Sequence, residues 1–159
     1  MVRVPSRTRR TMLFCLLALL VGCGEGAGGS AVEVPELGLS MKLPPGWRAR
    51  ASEPRMFYDG DNREDNFGMV EDYPLEGLTL EEYVEKMSKA GAPQVLSKTP
   101  CSVGGCEAVE MVTEAEYAVV EVDIRKGDRV IRVSFRTLAE DLPEHEESFR
   151  AALRSIAIN

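Results

Sequence analysis

The 159-residue sequence is poor in the residues that most often carry chemistry: it has one histidine, one tryptophan, four cysteines and 6% aromatics. The single histidine, His145, lies among Glu144, Glu146 and Glu147 in what reads as the first turn of a helix. A Ser–His–Asp apparatus needs an activated serine beside its histidine. No Gly-x-Ser-x-Gly elbow supplies one, so His145 reads as a surface residue. Gly28-Gly29 and Gly104-Gly105 belong to no Gly-x-x-x-x-Gly-Lys-Ser/Thr or Gly-x-Gly-x-x-Gly pattern, which leaves no phosphate cradle. Cys-x-x-Cys is absent, against a redox role. Carboxylates are numerous, but spacing marks none as a catalytic pair. The expectation is a protein that is not an enzyme, with no catalytic residue, no cofactor and no bound metal.

Long apolar runs are also missing. The apolar stretch near the start, Met12 to Val21, has ten residues, against about 20 for a helix that crosses a bilayer. Arg3, Arg7, Arg9 and Arg10 precede it and small residues follow, the pattern of a secretory signal. Leu20-Val21-Gly22-Cys23 resembles the lipobox of bacterial lipoproteins. That resemblance implies cleavage before Cys23 and a diacylglyceryl group on its sulfur; the other reading is an ordinary cleaved signal with an incidental cysteine. Two acyl chains hold a protein stably on a membrane it does not span. Gly24 rather than Asp after Cys23 argues, by analogy with sorting in two-membrane bacteria, against retention in the inner membrane. The expected location is the cell envelope, lipid-anchored outside the cytoplasm, with the outer membrane or cell surface ahead of the inner membrane.

Loss of residues 1–22 removes four arginines and moves the formal net charge from −7 to −11. So acidic a chain repels phosphates, which excludes nucleic acid as a partner. It also repels anionic headgroups, so the lipid must hold it to the membrane. Gly24 to Ser30 offers no side chain able to pack and reads as a flexible tether spanning roughly 15 Å. The division expected is a signal over 1–22, a lipidated tether over 23–30 and a globular domain over 31–159.

Within that domain, Leu39, Met41 and Leu43 alternate as in a strand that Pro44-Pro45-Gly46 ends. Trp47 leads a second strand, and the segments 55–59 and 67–73 read as a hairpin around a polar loop. Thr79 and Glu82 form a capping box, and Leu80, Tyr83, Val84 and Met87 then make one apolar helical stripe. Glu82–Lys86 and Glu85–Lys89 are spaced as i,i+4 ion pairs. Between residues 117 and 136, a turn over Arg125 to Asp128 would set Val122 opposite Ile131, Val120 opposite Val133 and Glu121 opposite Arg132. Tyr117, Val119 and Val130 make the other face partly apolar, so both faces want cover. A last helix starts between Asp141 and Pro143, with Glu144 placed for capping and Phe149, Ala152, Leu153 and Ile156 on its buried side.

These elements, with Leu43-Pro44-Pro45-Gly46-Trp47, the Leu-Glu-Glu-Tyr start of the middle helix and the terminal Ser155-Ile156-Ala157-Ile158, resemble the PsbP-like superfamily over residues 36–158. The resemblance implies an α+β fold, an antiparallel β-sheet meander sandwiched by helices. The superfamily includes photosystem II extrinsic proteins, a Ran-release factor and many small bacterial lipoproteins. Its members share no catalytic residues, so no site transfers residue by residue; the analogy suggests binding of other proteins.

Three local features remain. Cys101 and Cys106 survive processing, and an exported pair favours a disulfide. Facing each other across a hairpin, they would set Leu96 opposite Met111 and Val95 opposite Val112, and the bridge would add about 2 kcal/mol. A zinc site would lack two further ligands. The oxygen-rich run from Asp59 to Asn66 has Arg63 and Glu64 where an EF-hand loop wants an oxygen ligand and a glycine, so it reads as a solvated turn. Trp47 reads as a packing residue ahead of a ligand platform. The function expected is a membrane-anchored accessory module that binds an envelope protein of unknown identity; the alternative is a carrier of a small apolar or envelope-derived ligand.

Overall fold

A computed structural model describes residues 29–60, 64–90 and 93–159. The expected signal, Cys23 and most of the tether lie outside the described residues. In chain order the elements are β1 (Ala31–Val34), β2 (Leu39–Lys42), β3 (Trp47–Arg50), β4 (Glu53–Asp59), β5 (Phe67–Pro74), α1 (Leu80–Lys89), β6 (Gln94–Val103), β7 (Cys106–Glu114), β8 (Tyr117–Lys126), β9 (Arg129–Leu138), α2 (Leu142–Arg154) and β10 (Ala157–Ile158). Seven strands form one antiparallel sheet in the order β3-β4-β5-β9-β8-β7-β6, and β1, β2 and β10 form a second, small sheet. The fold is α+β, as the sequence led us to expect.

Each face of the large sheet buries its own cluster. On one face Val120, Val122, Val133 and Phe135 meet Phe149 and Leu153 of α2 together with Val34, Leu39 and Met41 of the small sheet. On the other, Val109, Met111 and Val130 meet Leu80, Tyr83 and Val84 of α1. Strand β1 was not anticipated. It pairs with β2, whose other edge takes β10 through Ala157↔Ser40 and Ile158↔Leu39. β10 is thereby tied to β2, and the backbone N–H of Lys42 also donates to Ser155 Oγ at 2.8 Å.

The β8–β9 register differs from the expected one by two residues. The hairpin closes on a two-residue turn, with Lys126↔Arg129, Ile124↔Ile131, Val122↔Val133 and Val120↔Phe135. A two-residue slip keeps every side chain on its face, so the apolar pattern alone cannot separate the two registers. The turn does: Gly127 has φ +66°, and a two-residue loop with a left-handed residue matches the twist of the flanking strands. Arg132 consequently faces Asp123, and Glu121 faces Ser134.

The β6–β7 hairpin is corrected in the same sense. Its tip is Gly104-Gly105, so Val103 faces Cys106 and Cys101 faces Ala108. Val95 faces Thr113 and Lys98 faces Met111, the register shifting between Val95 and Ser97. Cys101 and Cys106 are left as diagonal neighbours, about 7–8 Å apart in an antiparallel pair. A disulfide cannot span more than 7 Å between Cα atoms without moving the backbone, and both thiols are free in the structure. Strand β6 is an edge of the large sheet and leaves Val95 and Leu96 exposed. The register shift, Lys98 and Pro100 are features that discourage edge-to-edge pairing.

The capping box forms as expected: Thr79 Oγ1 accepts from the Glu82 N–H at 3.2 Å, and Glu82 Oε2 accepts from the Thr79 N–H at 2.8 Å. Because Glu82 is committed there, Lys86 turns to Glu76 at 3.6 Å instead, while Glu85–Lys89 pairs at 2.9 Å. At the start of α2 no side chain caps the helix; Asp141 holds the N-cap after a short 3-10 turn, and Glu144 does not cap.

Candidate functional site

Of the residues singled out by sequence, several fall in packing roles. Trp47 is 3% exposed and meets Phe135 and Phe149 edge-on, at ring-centre distances of 5.4 and 5.3 Å. His145 stacks on Phe149 at 5.5 Å. Across the 59–66 loop, the Asp59 N–H donates to the Asn66 carbonyl at 3.2 Å, closing a hairpin; residues 61–63 lie outside the described residues. Among the described residues no three metal-ligating side chains converge. Cys101 lines a shallow groove with Leu153 and Ile156 at the end of α2. Partial burial there pushes its thiol above the ordinary value, which disfavours the nucleophilic thiolate.

The sheet brings together a group that the sequence reading did not assemble. Strand alternation sends Arg132 of β9, Glu121 and Asp123 of β8, and Glu71 of β5 toward the α1 side. The Arg132 guanidinium donates to both Asp123 oxygens, Nε and Nη2 each at 2.8 Å. This two-pronged pair is the strong geometry for arginine and a carboxylate. Asp123 is 1% exposed. Glu121, 7% exposed, has its Oε2 3.6 Å from Arg132 Nε, beyond hydrogen-bond reach. Two buried carboxylates thus share one guanidinium. Burial pushes the Glu121 carboxyl up to about 7, with Arg132 opposing and the charges of Asp123 and Glu71 reinforcing the rise.

Aromatic rings of α1 and β5 complete the cluster. Arg132 sits 5.9 Å from the centre of the Tyr73 ring, and Tyr73 lies 6.4 Å from Tyr83. The buried Tyr83 hydroxyl has no hydrogen-bond partner among the described residues. A cavity of about 140 Å³ opens under the end of α1, its walls including Met87, Met111, Thr113, Val119, Glu121 and Arg132. A signal for this site was present in Val119-Val120-Glu121-Val122-Asp123-Ile124, where acids alternate along a strand whose two faces both need cover. The register error hid it by assigning Arg132 to Glu121.

A second ionic group joins the two sheets. Arg55 donates to Glu36 at 2.9 Å and to Asp72 at 2.8 Å, Arg129 also binds Asp72, and Lys126 Nζ reaches the carbonyls of Leu37 and Asn159. The Arg55 hydrogen bond, with help from Arg129, holds the Asp72 carboxyl below its ordinary value. These contacts pin the small sheet to the large one. All their members are paired, which fits a structural role.

No family model matches the chain, and none of the curated proteins matches it. Solved structures do. Cyanobacterial PsbP (CyanoP) from Synechocystis sp. PCC 6803 superposes with a TM-score of 0.60 at 13% identity, covering 86% of this chain and 96% of its own. LpqN of Mycobacterium tuberculosis, described as involved in cell envelope biogenesis, gives 0.55 at 11% identity over 82% of this chain and 85% of its own. PA94 from Pseudomonas aeruginosa, a protein of unknown function described as a putative regulator, gives 0.53 at 16% identity over 82% and 96%. At such identities the likeness concerns the fold alone, and the fold of this chain is PsbP-like.

Proposed function

We propose that this chain is a lipid-anchored, non-enzymatic accessory module of the bacterial cell envelope that acts by binding another envelope protein. The observation that carries the reading is the joining of a PsbP-like fold to a leader ending in Leu20-Val21-Gly22-Cys23. Support comes from LpqN, a protein of similar fold described as involved in cell envelope biogenesis. His145, weighed as a catalyst, stacks on Phe149, and Trp47, weighed as a ligand platform, packs edge-on against the same ring. The membrane is contacted through the lipid, and the acidic surface keeps nucleic acid away.

Cross-linking in intact cells followed by isolation of the full chain from solubilised envelopes tests this. The expected result is one envelope protein recovered in stoichiometric amount. A substrate screen that finds turnover abolished by a single substitution overturns the non-enzymatic reading. The cavity beside Glu121 favours a second reading, a carrier of a small envelope-derived ligand, for which native mass spectrometry would show a co-purifying small molecule.

A further inference from the structure

One arginine of the large sheet differs from its neighbours. Arg125 on β8 and Arg129 and Arg132 on β9 each pair with a carboxylate. Arg136, also on β9, forms no ion pair with a described residue. Its guanidinium lies 3.6 Å from the centre of the Tyr117 ring and 4.6 Å from that of the Phe67 ring. The strands that carry those rings, β8 and β5, flank β9 on either side, so the guanidinium is held between them. The side chain is half-buried, and its Nε is buried without a hydrogen-bond partner among the described residues. Stacking occupies the faces of the guanidinium plane and leaves the N–H groups at its edge unspent. A buried donor left unpaired is costly, and a carboxylate lying in that plane relieves it.

The register carries this feature across the sheet. Arg48 faces Tyr58, Tyr58 faces Phe67 and Phe67 faces Arg136, one row over β3, β4, β5 and β9. Trp47, Phe57 and Phe135 belong to the core beneath α2, so strand alternation turns this row to the opposite face. On that face α1 covers Val109, Met111 and Val130, away from the row. Arg48 is exposed and likewise forms no ion pair with a described residue. Two aromatic residues thus separate two uncommitted guanidinium groups whose backbones lie about 14 Å apart, three strand spacings. Phe67 also walls an open groove of about 300 Å³ with Arg50, Met56 and Tyr58. The row is cationic on a chain whose formal net charge is −7.

We propose that this face docks an extended acidic segment of a partner protein, an acid–x–apolar–x–acid run whose outer carboxylates take Arg48 and Arg136 and whose central side chain lies on Tyr58 and Phe67. The proposal rests on the accessory-module reading above and gives the partner its chemistry. In an extended chain, residues i and i+4 are about 13 Å apart and share a face with i+2, which matches the row. A guanidinium fixed between two rings loses little freedom when it binds, so its two-pronged bond to a carboxylate is prepared in advance. One phosphate cannot serve two guanidinium groups set about 14 Å apart, which favours the segment over a free phosphate.

The test is titration calorimetry of the full chain in neutral detergent, with acetyl-Asp-Ser-Leu-Ser-Asp-amide as the probe. The expected result is saturable one-to-one binding that weakens as salt rises. It should be about tenfold weaker in Arg136→Gln and in the exposed Arg48→Gln, and unchanged in Arg154→Gln on α2. Thermal unfolding checks that the variants are folded. No saturable binding, or full binding in Arg136→Gln, would overturn the proposal. So would binding as tight by the peptide with Asn in place of both Asp, by acetyl-Asp-Asp-Ser-Leu-Ser-amide, or by inorganic phosphate. Wild-type dimers that Arg136→Gln dissolves would assign the face to a second copy and overturn it too. Cross-linking in intact cells separates this failure from that of the accessory reading. A partner captured equally by wild type and Arg136→Gln removes this surface and keeps the module; no partner from either refutes both.

Discussion

Glu121 sets how stability responds to pH. Its carboxyl, raised to about 7 by burial, holds a proton in the folded state that the unfolded chain releases near 4.5. Stability from this group is complete below about pH 4.5 and is lost as the pH climbs to about 7. A shift of that size is worth on the order of 3 kcal/mol. Glu121→Gln should therefore gain stability relative to the wild type between pH 5 and pH 8, read from urea unfolding at each pH; a constant difference would refute the burial argument. Asp72 acts oppositely. Its carboxyl is held down by Arg55, so its contribution is present above the ordinary carboxylate range and falls away in acid. A packing prediction concerns Gly68, where a Cβ would lie 2.7 Å from the Ser134 carbonyl oxygen and 2.9 Å from rings of both Phe57 and Phe135. Gly68→Ala should cost about 1–3 kcal/mol in the same unfolding assay. An unchanged midpoint would mean that the sheet shifts to make room.

At the level of elements, the helices and the hairpins were unequally legible. The residue pattern located the start of α1 to the residue, because a capping box and an apolar stripe are local signals that agree with each other. Thr79→Ala should destabilise the protein by about 1 kcal/mol, and thermal unfolding measures it. The strands of the β8–β9 hairpin and their faces were equally readable, but the register was not. Period-two patterning is blind to a two-residue slip, and the decision rested on the backbone of Gly127. The bridge expected of an exported Cys101–Cys106 pair met the same blindness at Gly104-Gly105: the register sets Cys101 opposite Ala108, and the structure holds both thiols free. Thiol titration of the unreduced, processed protein should count two free thiols. A count of zero would show that the hairpin adopts the register first expected. Strand β1 escaped notice because four residues beside a glycine-rich segment carry too little pattern. The buried Glu121–Arg132–Asp123 group escaped for a related reason, since it exists only once the register places Asp123 opposite Arg132.

For the whole molecule, sequence and structure divide the work. The fold class was readable because both faces of the central hairpin carry apolar residues, which demands two covering layers, and the structure provides them as α2 with the small sheet on one side and α1 on the other. The candidate cavity was not readable, because its walls come from α1, β7, β8 and β9 together. The proposed place in the cell depends on Cys23 at the end of the leader. Mass spectrometry of the N-terminal peptide of the product purified from envelopes, alongside labelling with radioactive palmitate, tests it most directly. The account predicts a chain that begins at Cys23, carries a diacylglyceryl group on that sulfur and fractionates with membranes. An unprocessed chain beginning at Met1 in the cytosol, free of label, would contradict it.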